Sequence, residues 1–380
     1  RVMQLGYVFC LHDNYQDMYV NSPSWDESFI NRNADGSMTG GGKWDGGRAY
    51  ITCAQKAVEL ARRPQNLPAV RQLSKANSYF IDTTYAAGLY ECFSPIHPLT
   101  RGDDMKWKQA ISDYARELFG IFGSECGREW AIPHSDFFEG MTGVSGGYYH
   151  NKALLGNVGG VVVPLFELVY RDSIAMYGKY GYDIQQSADY VLHHIGIGRT
   201  LNYHSVPAHL YWKEWKEPVA GETKGAPDVG VFVRATNGWA EGLHPMDRFV
   251  KNTYEILSPL NELTSQTPMT RHEFLTPNRA VQRSVFGQDA DRIEVITNGG
   301  RDSYSHRSPL GGDVLLPPRG FVIEGPTFAA FLAQKWNGID YAAPVLFTLR
   351  SLDGKPLKSS GQIRVYHAFG DPRIKLGEAI

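Results

Sequence analysis

Two apolar, β-prone runs, each stopping on an acid and separated by one helix-length segment, constrain this chain most. Ser78-Tyr79-Phe80-Ile81 ends on Asp82, and Leu118-Phe119-Gly120-Ile121-Phe122-Gly123-Ser124 ends on Glu125. Between them, Asp104 to Glu117 has the pattern of a helix. A strand, a crossover helix and a second strand run parallel, so both strand ends emerge at the same edge of a sheet. The expectation is a pair of neighbouring carboxylates. Glycosidic bond cleavage uses such a pair, one acid to attack or stabilise the anomeric carbon and one to protonate the leaving oxygen.

Around that unit the chain alternates. Leu5 to Leu11 reads as a strand ending in the polar cluster His12-Asp13-Asn14-Tyr15-Gln16-Asp17. A Gly- and Asn-rich loop, Asn31 to Gly47, precedes an amphipathic helix over Ala49 to Arg63, stopped by Pro64. Ala131-Ile132-Pro133 is a short strand candidate, and Val161 to Tyr170 is an apolar run of the kind found in strands buried on both faces. Asp183 to Ile195 and Met246 to Leu263 read as helices, with Arg199 to Val206 as the last strand of the series. Repeated βα units with polar strand ends predict an α/β fold of (β/α)8-barrel type, or an open doubly wound sheet. No GxGxxG opens a helix after a strand, so the dinucleotide fold lacks its main signature. The alternation supplies about five or six barrel strands where eight are needed. The barrel is therefore expected to lack its first strands here. An opening on Arg1, running at once into a core strand, likewise suggests a piece of a longer protein, and it says nothing about compartment.

After Pro277 the texture changes to short β runs: Ala280 to Phe286, Arg292 to Thr297, Gly320 to Ile323, Val345 to Arg350 and Gln362 to His367. They predict a C-terminal antiparallel β-sandwich. The expected division is a barrel domain over 1–270 and a β-domain over 271–380.

Bulk properties narrow the partners. Net charge is −2, so nothing favours nucleic acid or an anionic surface. No apolar run is long enough to span a bilayer. Cys10, Cys53, Cys92 and Cys126 lie far apart without a CxxC pair, so metal-thiolate and redox readings are weak, and three of the four flank apolar or strand-like segments, where a free cysteine behaves as a small buried hydrophobe.

Asp82 is the candidate nucleophile. Glu125, beside Ile121 and Phe122, is the candidate general acid/base, because an apolar setting raises a carboxyl pKa; Glu129 is its rival. In the polar cluster, Asp13 is the favoured sugar-holding residue, with Asp17 and His12 beside it. Trp25, Trp44 and Trp130 are candidates for stacking on sugar faces. His134 and His204 are candidates to line the pocket. A rival arrangement is a metal-dependent hydrolase centred on His12, Asp13, His134 and Asp136, with His150 as a further ligand. Another is a barrel that binds glycans without catalysis.

"YFIDTTYAAG" around Asp82, "FGIFGSECG" around Glu125 and the earlier "LHDNYQD" resemble the catalytic barrel of glycoside hydrolase family 129 and the related endo-acting family 101. The later "LLPPRGFVIEGPTF" is similar to the β-domain that follows such barrels. The resemblance implies an α-N-acetylgalactosaminidase type of activity on a glycan substrate, with retention of the α configuration. It assigns the nucleophile to Asp82, the acid/base to Glu125 and the sugar-holding acid to Asp13 or Asp17. Some members carry calcium, which would require oxygen ligands. "SECG" departs from the endo-acting relatives, which have an aromatic residue after the Glu.

Overall fold

The computed structural model describes residues 1–44, 46–140, 163–178, 187–202 and 230–376. They fall into two compact units, one within Arg1–Asn151 and Ile174–Met176, the other within Lys152–Ser173 and Tyr177–Ile380. That boundary lies inside the segment which the sequence pattern assigns to a single barrel.

The first unit is built on a mainly parallel sheet. Its strands are β1 (Cys10–Asn14), β5 (Ser78–Asp82), β6 (Phe122–Glu125), β7 (Phe137–Glu139) and β8 (Ala175–Tyr177), in the order β1-β5-β6-β7-β8. β1 pairs parallel with β5, β5 with β6 and β6 with β7. A small antiparallel sheet of order β2-β4-β3, from β2 (Asp17–Tyr19), β3 (Gly40–Trp44) and β4 (Gly47–Ile51), is inserted after β1. Helices α1 (Ala54–Ala61) and α2 (Leu67–Ser74) lead into β5, and α3 (Arg101–Phe119) connects β5 to β6. α3 starts at a capping box in which Thr100 and Asp103 bond each other's backbone N–H. It buries Ile111, Ala115 and Phe119, and Phe119 stacks on Tyr79 of β5 at 4.3 Å.

Several local expectations shift. The first strand is the polar segment Cys10–Asn14 rather than Leu5 to Leu11, because His12, Asp13 and Asn14 pair with Phe80, Ile81 and Asp82. The Ala49 to Arg63 helix shortens to Ala54–Ala61, since Ala49, Tyr50 and Ile51 are claimed by pairing with β2. Ala131-Ile132-Pro133 lies in a 3₁₀ helix, Glu129–His134, and the strand follows it as Phe137–Glu139.

In the second unit, α4 (Leu165–Tyr170) replaces the described part of the strand expected over Val161 to Tyr170. α5 spans Ser187–Ile197 and α6 Pro245–Thr264, close to the expected helices. Of the strand expected over Arg199 to Val206, Thr200 makes an isolated bridge to Tyr177, and residues 203–206 lie outside the described set. The β region holds nine antiparallel strands: β9 (Met269–Phe274), β10 (Val281–Phe286), β11 (Ile293–Asn298), β12 (Tyr304–Ser308), β13 (Gly312–Leu316), β14 (Phe321–Glu324), β15 (Phe328–Trp336), β16 (Ile339–Ser351) and β17 (Ile363–Phe369). Hydrogen bonding joins them into one branched sheet in which β15 pairs with β13, β14 and β16. Its core gathers Phe331, Val345, Phe347 and Trp336, the Trp336 ring stacking on Phe331 at 4.0 Å.

Candidate active site at the strand ends

Alternation along the parallel strands sorts the candidate residues onto two faces. Asn14 pairs with Asp82 and Glu125 with Glu139, while Ile81 pairs with Ser124, which brings Asp82 into register beside Glu125. Asn14, Asp82, Glu125 and Glu139 therefore form one row, on one face, at the C-terminal ends of four successive strands. Below them on the same face lie His12, Phe80 and Phe137. His12 meets Phe80 edge-on at 5.9 Å, and Phe80 stacks with Phe137 at 6.3 Å. Gly123 makes this layer fit, since a Cβ there would stand 2.2 Å from the Phe137 ring.

Both acids are followed by a left-handed residue that is not glycine: Thr83 and Cys126 each have φ 61°. For β-branched Thr83 this is an uncommon conformation that costs energy and concentrates at functional sites. The Thr83 hydroxyl donates to the Asp82 carbonyl at 2.7 Å and reaches Asn14 Oδ1 at 3.3 Å. Asn14 in turn donates to Asp17 Oδ2 at 3.0 Å. Burial holds the Asp17 carboxyl above its usual pKa; the Asn14 bond opposes that, and the negative charge of Glu125 adds to it. Asp17 thus belongs electrostatically to the strand-end group although it sits on β2.

Asp13 does not join this group. It pairs with Ile81 and shares the opposite face with Tyr79, against which α3 packs through Phe119. Burial raises its pKa to about 6, partly offset by the hydroxyls of Tyr79 and Tyr15. This corrects its placement as a sugar-holding residue next to Asp82. The shift comes from the strand itself: the side chain one residue along from His12 necessarily turns to the other face.

The remaining candidates disperse. His134 bonds Asp113 of α3 at 2.8 Å, and Asp136 pairs with Arg116 at 2.8 Å. With Asp13 on the far face, the four-residue metal arrangement does not assemble, and His150 lies outside the described residues. Trp130 packs edge-on against Tyr85 at 5.3 Å, and Trp25 against Tyr50 at 5.7 Å beside Met18 and Ile30. Trp44 is exposed and lines an open depression with Tyr19, Lys43 and Gly46. Glu129 is exposed at the start of the 3₁₀ helix. His204 lies outside the described residues. The Arg171 guanidinium donates to Thr264 Oγ1 and Asn261 Oδ1. An apolar cavity near Ile51, Trp107 and Ile111 has a volume of about 30 Å³, too small for a sugar.

Sequence reasoning missed Glu139. The signal was present as Phe137-Phe138-Glu139, an apolar pair ending on an acid, but too short to stand out. Among the described residues, the group of three His, Cys, Asp or Glu side chains whose ligand atoms converge offers sulfur and nitrogen.

A parallel sheet with acids in register at its C-terminal edge and a following antiparallel β-domain make this an α/β protein with a C-terminal β-domain. Residues 10–154 match the family described as glycosyl hydrolases related to GH101 family, GH129. The matched segment contains Asp82, Glu125 and Glu139. No curated protein matches the chain. Among solved structures it is similar to ligand-free α-N-acetylgalactosaminidase NagBb from Bifidobacterium bifidum, at 20% identity and TM-score 0.57, over 78% of this chain and 41% of that one. The Gal-NHAc-DNJ complex of the same protein gives 21% identity and TM-score 0.57, over 78% and 42%. The chain thus spans about two-fifths of the length of the structures it matches. Among the described residues, no helix is long and apolar enough to cross a membrane.

Proposed function

We propose that this chain carries the catalytic centre of a retaining α-glycosidase acting on α-linked N-acetylgalactosamine or galactose. In this reading the parallel sheet belongs to a (β/α)8-type barrel, residues 1–270 hold the chemistry and residues 271–380 form a β-domain. The observation that supports it is the register of Asp82 beside Glu125 on one face of adjacent parallel strands. Neighbouring strands lie about 4.8 Å apart. Carboxyls on such a pair stand near the separation of about 5–5.5 Å that retaining enzymes use, and closer than the inverting spacing. The substrate class comes from the family match over residues 10–154 and from the printed activity of the similar structures.

Asp82 attacks C1 and forms a glycosyl ester while Glu125 gives its proton to the departing oxygen. Glu125, now a carboxylate, takes a proton from water, whose oxygen attacks C1 and frees Asp82. Asp17 and Asn14 hold hydroxyls of the sugar and fix the charge around Glu125, and Glu139 completes the acidic rim.

Replacing the nucleophile tests the assignment. Asp82→Asn should lower turnover of an aryl α-N-acetylgalactosaminide by about 10⁴-fold or more, as removal of covalent nucleophiles does. Azide should restore part of the activity and yield the β-configured glycosyl azide, and the unaltered protein should release the α anomer first by NMR. Near-native turnover of the variant removes Asp82 from its role, whereas a β anomer as first product leaves the acids in place and overturns retention.

A further inference from the structure

We propose that Cys53, Cys92 and His97 form a binding site for a zinc-type divalent cation, with the two sulfurs and His97 Nδ1 as ligands. The sequence hides the group. Its members come from the β4–α1 junction and from a loop before α3 whose ends, Cys92 and Leu99, exchange backbone hydrogen bonds at 2.9 and 3.0 Å. Their ligand atoms all lie within 4.8 Å of one another, and Cys92 Sγ is 3.3 Å from His97 Nδ1. Around a tetrahedral zinc, with Zn–S about 2.3 Å and Zn–N about 2.0–2.1 Å, such atoms stand roughly 3.3–3.8 Å apart. The donors are therefore nearly in place.

The orientation of the imidazole points the same way. His97 Nε2 is 2.7 Å from the Ser28 carbonyl oxygen, which can only accept, so Nε2 carries the proton and Nδ1 turns a lone pair toward the sulfurs. Metal-bound histidines are held in this manner, with the far N–H donated to a carbonyl or carboxylate. The three residues are 0%, 3% and 2% exposed and sit among Ala54, Leu99 and Trp107. In such an apolar setting net charge decides. Two thiolates and a neutral imidazole cancel a divalent cation, whereas a monovalent one would leave a buried negative charge. Sulfur and nitrogen donors select zinc over magnesium or calcium. A fourth position is left for water or another small ligand.

A thiol gives up its proton when its sulfur binds a cation, and Cys92 bonds His97 in the structure. Binding must then expel protons, so affinity should rise with pH.

The full chain, purified without chelator, is loaded with zinc chloride, desalted and assayed for bound metal. The proposal expects about one zinc per chain, more weakly held at acid pH. Cobalt(II) in its place should give a sulfur-to-cobalt charge-transfer band. Cys53→Ser and Cys92→Ser should each abolish retention, and Cys10→Ser should not. Should a variant fail to fold, the cobalt spectrum of the unaltered chain still decides. So does protection of Cys53 and Cys92 from a thiol reagent, lifted by chelation. No retained zinc with no cobalt–sulfur band overturns the site, as does a Cys53–Cys92 disulfide in the freshly purified chain.

Discussion

The two sheets treat charge and backbone strain in opposite ways. In the antiparallel sheet opposite charges alternate: Arg283 faces Glu273 across the β9–β10 pair, Arg292 meets Glu294, and Arg364 of β17 grips Glu255 of α6 with two bonds of 2.6 and 2.9 Å. Its left-handed residues make turns; Asn337 and Gly338, at φ 44° and 81°, form the two-residue hairpin between β15 and β16. In the parallel sheet like charges are gathered instead. Asp82, Glu125 and Glu139 share one edge, with Asp17 close enough for Glu125 to raise its pKa. There the left-handed residues, Thr83 and Cys126, directly follow acids. Pairing and hairpins serve stability, whereas gathered acids and a strained β-branched residue cost stability and are retained where chemistry needs them.

The contrast can be broken most decisively at Glu125. Glu125→Gln should lower turnover of a glycoside with a poor leaving group by about 10²–10⁴-fold, the usual worth of general acid catalysis. With an activated aryl leaving group the bond-breaking step should be nearly spared. Equal losses on both substrates would show that Glu125 does not deliver the proton. A smaller effect is expected from the layer beneath. Gly123→Ala would force the Phe137 ring away from a Cβ 2.2 Å distant, at a cost of about 3 kcal/mol, as overpacking does. A melting temperature equal to that of the unaltered chain would mean the aromatic layer is not packed under the acids as described.

How much of this the sequence carried depends on the distance over which each feature is determined. Asp82 and Glu125 were legible because an apolar run ending on an acid is a local pattern, and the intervening helix fixes the strands as parallel. The face of Asp13 was not legible. It follows from the register of β1 against β5, in which Asp13 pairs with Ile81, and a one-residue slip reverses the side to which every residue points. Residues 165–170 read as strand because a short apolar run does not by itself tell strand from helix, and the helix they form leaves Leu165 and Val169 exposed. His134 gave no local sign that α3 would offer it Asp113. The Cys53–Cys92–His97 group was invisible for the same reason, since nothing in the spacing predicts that the β4–α1 junction meets the loop before α3.

Asp13 sharpens the difference between the faces of the parallel sheet. Its carboxyl binds a proton more tightly in the fold, at about 6, than at its ordinary 3.8. Stability from this group is therefore full below about pH 4 and is lost as pH rises through about 6. Asp13→Asn should remove that dependence. The difference in unfolding free energy between the two proteins should shift in favour of the variant by on the order of 1–2 kcal/mol between pH 4 and 7.5. Glycosidase turnover should change little, because the side chain lies on the face away from Asp82. Loss of turnover with unchanged pH dependence would return Asp13 to the active-site side.

The finest test concerns strain. Thr83→Gly relieves the left-handed conformation, worth about 1 kcal/mol, but gives the unfolded chain more freedom by a similar amount. It also removes the hydroxyl that bonds the Asp82 carbonyl. Melting temperature should therefore barely move, while turnover falls about tenfold or less as Asp82 loses its fixed orientation. A variant that gains stability and keeps full turnover would mean the strain at Thr83 does no more than the hairpin turns of the antiparallel sheet.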